Sequence, residues 1–117
     1  MNIKKAAEEV GLSADTIRYY ERIGLVPPIT RTESGIRDFQ QNDLEALEFV
    51  KCFRAAGVSV ESLIDYMALF QKGDSTSQAR LEILQGEHDK MQERYNDLGK
   101  ALQRLEYKIK GYKEGRY

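Results

Sequence analysis

The chain has 117 residues, of which 41% are hydrophobic, with a formal charge of −1 at neutral pH and a single cysteine. This length suits one small domain plus an extension, and one cysteine excludes an intrachain disulfide. Because no run of about 18 apolar residues and no N-terminal signal pattern occurs, we expect a soluble cytoplasmic protein with no membrane partner.

Two short helices joined by a tight turn are predicted at the start of the chain. The first covers about residues 3–10 and is followed by a Gly11-Leu12 turn. Ser13 then provides the N-cap of a second helix, which stops at Gly24. Two helices around a glycine-containing turn are typical of a helix-turn-helix unit. Ile17 and Tyr20 form the inward stripe of the second helix, and its outward face carries the groups that bind phosphates and base edges, namely Thr16, Arg18, Tyr19 and Arg22.

A basic turn follows this unit. Pro27-Pro28 end helical structure because proline has no amide hydrogen. Residues 32–35, Thr-Glu-Ser-Gly, have turn chemistry between two short extended runs, so we predict a β-hairpin. Arg31 lies on one arm and Arg37 on the other, where the pair could straddle a phosphate backbone. Taken singly, each arginine is better explained as a solvated surface charge, but their joint placement beside the second helix favours binding.

The overall charge does not favour nucleic-acid binding. Residues 1–40 contain as many acidic as basic side chains, and the basic footprint usual for nucleic-acid-binding proteins is absent. The placement of charge matters more than its sum, because the local field steers binding. The basic residues on the proposed binding elements are Lys5, Arg18, Arg22, Arg31 and Arg37.

Two further helices are predicted after the hairpin. Asn42-Asp-Leu-Glu45 has the form of an N-cap followed by a glutamate three residues on, and it opens a helix that Gly57 closes. Ser59 opens the next helix, which Lys72-Gly73 ends. The expected core of this pair consists of Leu44, Leu47, Val50, Phe53, Leu63, Ile64 and Met67.

A long heptad pattern covers residues 75–112. Its apolar positions follow one another at alternating steps of three and four, which is typical of a coiled coil. A helix of this length extends roughly 55 Å, so its seam has to meet a second chain, and we predict a homodimer. The alternative is a helix that folds back onto its own domain. The seam positions are Leu81, Leu84, His88, Met91, Tyr95, Leu98, Leu102, Leu105, Ile109 and Tyr112.

The only histidine, His88, occupies a seam position between Leu84 and Met91. A lone polar residue there more often fixes the register of a coiled coil than binds a ligand. No second histidine or neighbouring cysteine accompanies it, and no glycine-rich phosphate loop or nucleophile-base signature occurs in the chain. We therefore expect no metal site, no cofactor and no enzymatic activity.

The single cysteine, Cys52, lies on the helix predicted from Asn42. Lys51 and Arg54 are close in sequence, and a nearby cation would favour the reactive thiolate. The alternative is a small buried hydrophobic side chain, and the residues alone favour this structural role.

One stretch of the chain resembles a known family. Residues 16–25, Thr-Ile-Arg-Tyr-Tyr-Glu-Arg-Ile-Gly-Leu, followed by Pro27-Pro28, Arg31 and Ser34-Gly-Ile-Arg37, strongly resemble the mercury-resistance-regulator (MerR) family of bacterial transcription factors. Together with the basic residues named above, the motif implies DNA contacts from Lys5, Ser13, Thr16, Arg18, Tyr19, Tyr20, Arg22, Arg31, Ser34, Gly35 and Arg37.

The order of elements fits the same family. We expect an all-α fold with a small β wing. A winged helix-turn-helix DNA-binding domain over residues 1–40 is followed by a connecting helix pair over residues 41–73. A long C-terminal coiled-coil helix over residues 74–117 then provides dimerisation.

The resemblance also implies a mechanism. Such regulators form homodimers through antiparallel coiled coils and bind palindromic double-stranded promoter DNA within an overlong spacer. They bend and untwist the spacer so that RNA polymerase engages both promoter elements. The quantity under control is a DNA deformation energy on the order of a few kcal/mol.

Some features depart from the family pattern. Many members have tyrosine where this chain has Ile36 and Phe39, so the hydroxyl contacts expected from the wing are missing. The chain also lacks the cysteines that metal-sensing members place near the far end of the dimerisation helix, and it lacks the large domain of drug-binding members. We therefore expect neither metal nor multidrug sensing.

The context of the cysteine points to one branch of the family. A compact member with a single cysteine in Lys51-Cys-Phe-Arg54 is similar to regulators that respond to aldehydes and to nitrosative or carbonyl stress. In that branch the cysteine is alkylated or oxidised as a thiolate, so the resemblance favours Cys52 as a sensor for a small reactive aldehyde or oxidant. The alternative is a coiled-coil architectural or interaction protein that binds DNA without thiol-based sensing.

Overall fold

The computed structural model describes residues 1–117 and is almost entirely helical. Its elements in chain order are α1 (Ile3–Val10), α2 (Ala14–Arg22), α3 (Gln41–Ala55), α4 (Val60–Gln71), a 3-10 turn (Asp74–Thr76) and α5 (Ser77–Lys113). The chain divides into two compact units, Met1–Ile83 and Leu84–Tyr117, which are described separately. None of the helices is both long enough and apolar enough to cross a membrane.

The first two helices have the predicted bounds, and each end has a local cause. The Asn2 side chain accepts a hydrogen bond from the amide of Lys5, and Gly11 ends α1 in the left-handed conformation with φ +71°. The Ser13 hydroxyl accepts from the amide of Thr16 at 3.0 Å. Each side-chain acceptor satisfies one of the amides that a helix N-terminus leaves unpaired.

The end of α2 also matches the prediction. Gly24 has φ +83°, and the amide of Leu25 reaches back to the carbonyl of Tyr20 at 2.9 Å. This is the helix-ending geometry that glycine favours because it has no Cβ. The chain then turns away from the helix axis, and Leu25 and Val26 enter the core.

The predicted β-hairpin is reduced to a turn with one bridge. Arg31 and Arg37 form a single antiparallel bridge, and the amide of Thr32 donates to the carbonyl of Ile36 at 2.8 Å. The second arm does not continue the ladder beyond Asp38, because the amide of Phe39 donates to the carbonyl of Met1 instead. No named strand therefore forms, although the turn has the expected position.

The predicted start of α3 is wrong by two residues. The N-cap is Gln40 rather than Asn42, and the carboxylate of Asp43 accepts from the amide of Gln40 at 2.8 Å. The cap two residues earlier is favoured because it gives the nearly buried Asp43 carboxylate a hydrogen-bond partner. By contrast, Ser59 caps α4 as predicted, and its hydroxyl accepts from the amide of Ser62 at 3.1 Å.

The core of the first unit combines all four of its helices with the segment after α2. Phe53 and Ile64, two of the predicted core residues, are only half-buried. Phe53 instead belongs to an aromatic row, in which its ring lies 4.7 Å from that of Phe49. The buried apolar residues are Ala6, Val10, Ile17, Leu25, Val26, Ile29, Phe39, Leu44, Leu47, Val50, Val58, Leu63 and Met67.

A long side chain also ties α1 to α3. The ammonium of Lys51 donates to the carbonyl of Val10 at 2.7 Å. Val10 is the last residue of α1, where unpaired carbonyls and the helix dipole both favour a cation. The ammonium lies so close to Gly11 that a Cβ at this position would meet it at 2.7 Å.

The second unit is the C-terminal part of α5 with the turn that follows it. The amide of Arg116 donates to the carbonyl of Gly111 at 2.9 Å and reverses the chain at positive-φ Gly115. The ammonium of Lys108 lies 4.2 Å from the ring centre of Tyr117, a cation-π contact. Gly111 is buried because the ring of Tyr117 covers it so closely that a Cβ there would collide.

We predict that Ile17→Ala lowers the free energy of unfolding by about 2–5 kcal/mol, since Ile17 is fully buried and its removal leaves a cavity. The matched control is Ile36→Ala, because Ile36 is 64% exposed, and we expect a change within about 0.5 kcal/mol. Urea unfolding at a fixed protein concentration measures both values. Equal losses in the two variants would contradict the assigned core.

Candidate nucleic-acid interface

The outward face of α2 presents the predicted polar side chains. Arg18 donates to the carboxylate of Asp15 at 2.9 Å, and both side chains are exposed. The guanidinium of Arg22 lies 5.3 Å from the ring centre of Tyr19. An exposed ion pair is worth at most about 1 kcal/mol, so a phosphate or base edge can replace Asp15 as the partner of Arg18 at little cost.

The remaining predicted residues of this helix have structural roles as well. The Ser13 hydroxyl caps α2 and donates to the hydroxyl of Thr16 at 2.8 Å. Tyr20 is half-buried, and its ring lies 6.2 Å from that of Tyr19, in agreement with its place on the inward stripe. Lys5 is exposed on α1.

We call the turn from Arg31 to Arg37 the wing. The side chain of Glu21 links it to α2, a contact that the sequence analysis did not predict. Its carboxylate accepts from the amide of Ile29 at 2.6 Å, from Arg31 at 3.3 Å and from Arg37 at 2.9 Å. The Glu21 side chain is only 12% exposed. The two arginines therefore converge on one carboxylate instead of standing apart on the two arms.

The position of Glu21 in the sequence indicates that its carboxylate needs a basic partner. Glu21 lies in the last turn of α2, where the helix dipole disfavours a carboxylate. An acid in that place, close in sequence to two arginines, indicates a compensating partner. The partners of Glu21 are eight to sixteen residues away, however, and no local pattern selects them.

The turn of the wing is built from short polar residues. The hydroxyls of Thr32 and Ser34 lie 3.0 Å apart, and Gly35 has φ +85°, which a side chain would strain. Ile36 is exposed beside this turn. Phe39, by contrast, is 2% exposed and belongs to the core. The loss of a wing contact at this position stays a prediction.

The cysteine is accessible. Cys52 is exposed on α3, which contradicts the alternative of a buried packing residue. The two neighbouring cations are both bound to backbone carbonyls, Lys51 to Val10 at 2.7 Å and Arg54 to Val58 at 2.6 Å. A shallow depression of about 360 Å³ surrounds the thiol and is lined by Glu9, Val10, Glu48, Lys51, Cys52 and Ala55.

His88, at one heptad position of α5, has a polar neighbour, because its Nδ1 lies 3.0 Å from the carboxylate of Asp89. Hydrogen bonds from His88 and then Gln85 lower the pKa of Asp89 below its ordinary value. No group of three or more potential metal ligands occurs anywhere in the structure.

Most of the other heptad positions of α5 present an apolar surface. The exposed apolar seam residues are Leu81, Leu84, Tyr95, Leu98, Leu102, Leu105, Ile109 and Tyr112.

Comparisons with known proteins agree with this geometry. Residues 1–69 match the family described as MerR HTH family regulatory protein. Over 91 residues the chain is 50% identical to the HTH-type transcriptional regulator AdhR of Bacillus subtilis (strain 168), an alignment that covers 78% of this chain and 65% of AdhR. The chain thus spans slightly less than two thirds of the length of that relative.

Two solved structures resemble the whole chain. A MerR family transcriptional regulator from Listeria monocytogenes superposes with a TM-score of 0.93 at 51% identity, covering 96% of this chain and 85% of that one. HiNmlR, a MerR family regulator lacking the sensor domain and bound to promoter DNA, superposes with a TM-score of 0.86 at 31% identity, covering 98% and 91%. The chain therefore belongs to the MerR family of helix-turn-helix regulatory proteins, whose members are transcriptional regulators and not enzymes.

Proposed function

We propose that the protein is a dimeric regulator that binds palindromic promoter DNA, acts on RNA polymerase by distorting the promoter, and responds to aldehyde, carbonyl or oxidative stress through Cys52. The observation that carries the DNA-binding part is the outward face of α2 beside the wing arginines that Glu21 holds. The likeness to HiNmlR, whose structure contains promoter DNA, supports the same assignment.

The two parts of the surface have different roles. A helix that presents arginine and tyrosine can enter the major groove and read base edges, so α2 supplies sequence recognition. The wing supplies contacts to the phosphate backbone, which position the protein without reading sequence. The contacts that we propose are Lys5, Ser13, Thr16, Arg18, Tyr19, Tyr20, Arg22, Arg31, Ser34, Gly35 and Arg37.

The exposed seam of α5 supports a homodimer. Leu98, Leu102 and Leu105 are all more than half exposed, and they follow the heptad spacing. A second copy that covers this seam in an antiparallel coiled coil would place two helix-turn-helix units on the two halves of a palindrome. The separation of the two units then determines how far the promoter has to bend and untwist before RNA polymerase can engage it.

The accessible thiol supports sensing. In the reaction that we propose, the thiolate sulfur of Cys52 attacks the carbonyl carbon of an aldehyde. A carbon-sulfur bond forms, the carbonyl π bond breaks, and the oxygen takes a proton from water to give a hemithioacetal. The adduct would occupy the depression that Val10 and Lys51 also line, and so it would disturb the contact between α1 and α3.

The alternative is a DNA-binding architectural protein without a thiol switch. The observation that favours it is that the Lys51 ammonium and the Arg54 guanidinium both donate to backbone carbonyl oxygens. The two functions share the DNA surface and differ only in the chemistry of Cys52.

We predict that Arg18→Ala weakens binding to a labelled duplex from upstream of the protein's own gene by about 1–3 kcal/mol, because a contact to a base edge or phosphate is lost. Fluorescence anisotropy at fixed salt measures the affinity. Arg104→Ala, on the exposed surface of α5, removes the same charge and should leave affinity unchanged. Unchanged binding by Arg18→Ala would contradict recognition through α2.

Leu102→Lys should dissociate the dimer, because it places a charge at the centre of the proposed seam, where desolvation is costly. Sedimentation equilibrium at micromolar concentration measures the mass. Gln103→Lys adds the same charge one residue away from the seam and should remain dimeric. A wild-type monomer, or a Leu102→Lys dimer of unchanged stability, would contradict the coiled coil.

Cys52→Ser should retain DNA binding and lose the response to formaldehyde or methylglyoxal, because the serine hydroxyl is a much weaker nucleophile than a thiolate. Run-off transcription with and without aldehyde measures the response, and mass spectrometry of the treated wild type checks for the adduct. A full aldehyde response in Cys52→Ser would remove the thiol from the mechanism and favour the alternative.

A further inference from the structure

We propose that Glu21 is a positioning residue of the DNA surface, which holds Arg37 as an internal counter-ion and leaves Arg31 as the wing arginine that contacts phosphate. The inference rests on the proposed DNA-binding function. It revises the set of contacts proposed above in one respect, because Arg37 acts through Glu21 and does not itself contact phosphate.

The Glu21 carboxylate occupies an unfavourable position. Glu21 lies in the last turn of α2, near the negative end of the helix dipole, and its side chain is 12% exposed. Both conditions disfavour an ionised carboxylate. Hydrogen bonds from Ile29, Arg31 and Arg37 offset this cost. The donors from the wing therefore stabilise the Glu21 carboxylate, and the same hydrogen bonds attach the wing to α2.

The two wing arginines repel each other. Arg31 and Arg37 face each other directly in the antiparallel bridge. Like charges in directly opposed positions destabilise a pair of strands. The two arms are joined by this one bridge and by hydrogen bonds from the amides of Thr32 and Asp38, with no neighbouring strand to support them. Glu21 lies between the two guanidinium groups and neutralises one of the two charges.

The two arginines contact Glu21 in different ways. Arg37 approaches Glu21 to 2.9 Å through Nε, and its side chain is only 25% exposed. Arg31 is 43% exposed and makes two long contacts, at 3.3 Å to Glu21 and at 3.3 Å to the carbonyl of Gly35. Arg37 is therefore committed within the protein, whereas Arg31 can exchange its partners for a phosphate oxygen.

Net charge and the positioning role of Glu21 predict opposite changes in DNA affinity for the same substitution. Glu21→Gln raises the net charge of the protein by one, which by itself should strengthen attraction to DNA. If Glu21 positions the wing, the same variant should bind at least about tenfold more weakly, because the arginines lose their shared acceptor. The glutamine oxygen can still accept from the amide of Ile29, so the variant should fold.

The matched control is Glu33→Gln, which makes the same change of charge in the exposed turn of the wing. It should bind DNA as tightly as the wild type or more tightly. The assay is anisotropy of a labelled duplex from upstream of the protein's own gene over a series of salt concentrations. Tighter binding by both variants would mean that Glu21 acts only through its charge and would overturn the inference.

The salt series also separates the two arginines. Each phosphate contact contributes about 0.9 to the slope of log affinity against log salt. Arg31→Gln should reduce the slope by about one contact, whereas Arg37→Gln should lower affinity with no change of slope. In the double variant Glu21→Gln/Arg37→Gln, the loss should be smaller than the sum of the single losses, because no like charges remain opposed. An equal loss of slope in both arginine variants would contradict the assignment.

A measurement without DNA distinguishes this inference from the proposed function. Hydrogen exchange at the amides of Thr32 and Asp38, which bond across the wing, should accelerate in Glu21→Gln but not in Glu33→Gln. If the wild type fails to bind the duplex while exchange accelerates as expected, the DNA-binding function fails and the structural part of the inference survives. If the wild type binds, Arg18→Ala weakens binding, and exchange and affinity in Glu21→Gln match the wild type, the inference alone fails.

Discussion

The hydrogen bonds of the Glu21 carboxylate join α2 to the wing within the proposed DNA surface. Glu21 is the only side chain of α2 with hydrogen bonds to both Ile29 and the wing arginines, and it does so with two oxygens. The wing has a single bridge and no named strand, and Glu21 supplies the side-chain link between it and α2. The proposed contacts of α2 with base edges and of the wing with the phosphate backbone require a fixed relation between the two elements. In our account, an acid inside a basic surface therefore strengthens DNA binding.

A second long-range contact has a comparable role behind the helix-turn-helix. Lys51 joins α3 to the carbonyl end of α1, and its neighbour in sequence is the exposed Cys52. A covalent change at the sulfur would take place beside the contact that orients α1. Chemistry at the thiol and geometry at the proposed DNA surface would then be coupled through the packing of α1 against α3. The depression around Cys52 is open enough for a small electrophile to enter.

The features that the sequence predicts well are those with local causes. Ser13 and Ser59 cap helices through amides three residues away, and Gly24 ends α2 because only a local conformation is needed. The start of α3 lies two residues before the predicted cap, at Gln40, whose amide donates to the buried Asp43 carboxylate. The Glu21 contacts, the burial of Phe39 and the exposure of Cys52 depend on segments distant in sequence, which periodicity and capping rules do not describe.

The central claim is that two copies of this surface bind DNA symmetrically, each with α2 in the major groove and the wing on the backbone. Hydroxyl-radical footprinting of the DNA upstream of the protein's own gene tests it most directly. The account predicts two protected patches related by a dyad, with centres separated by a near-integral number of helical turns. A single asymmetric patch, or protection that Arg18→Ala leaves unchanged, would contradict it.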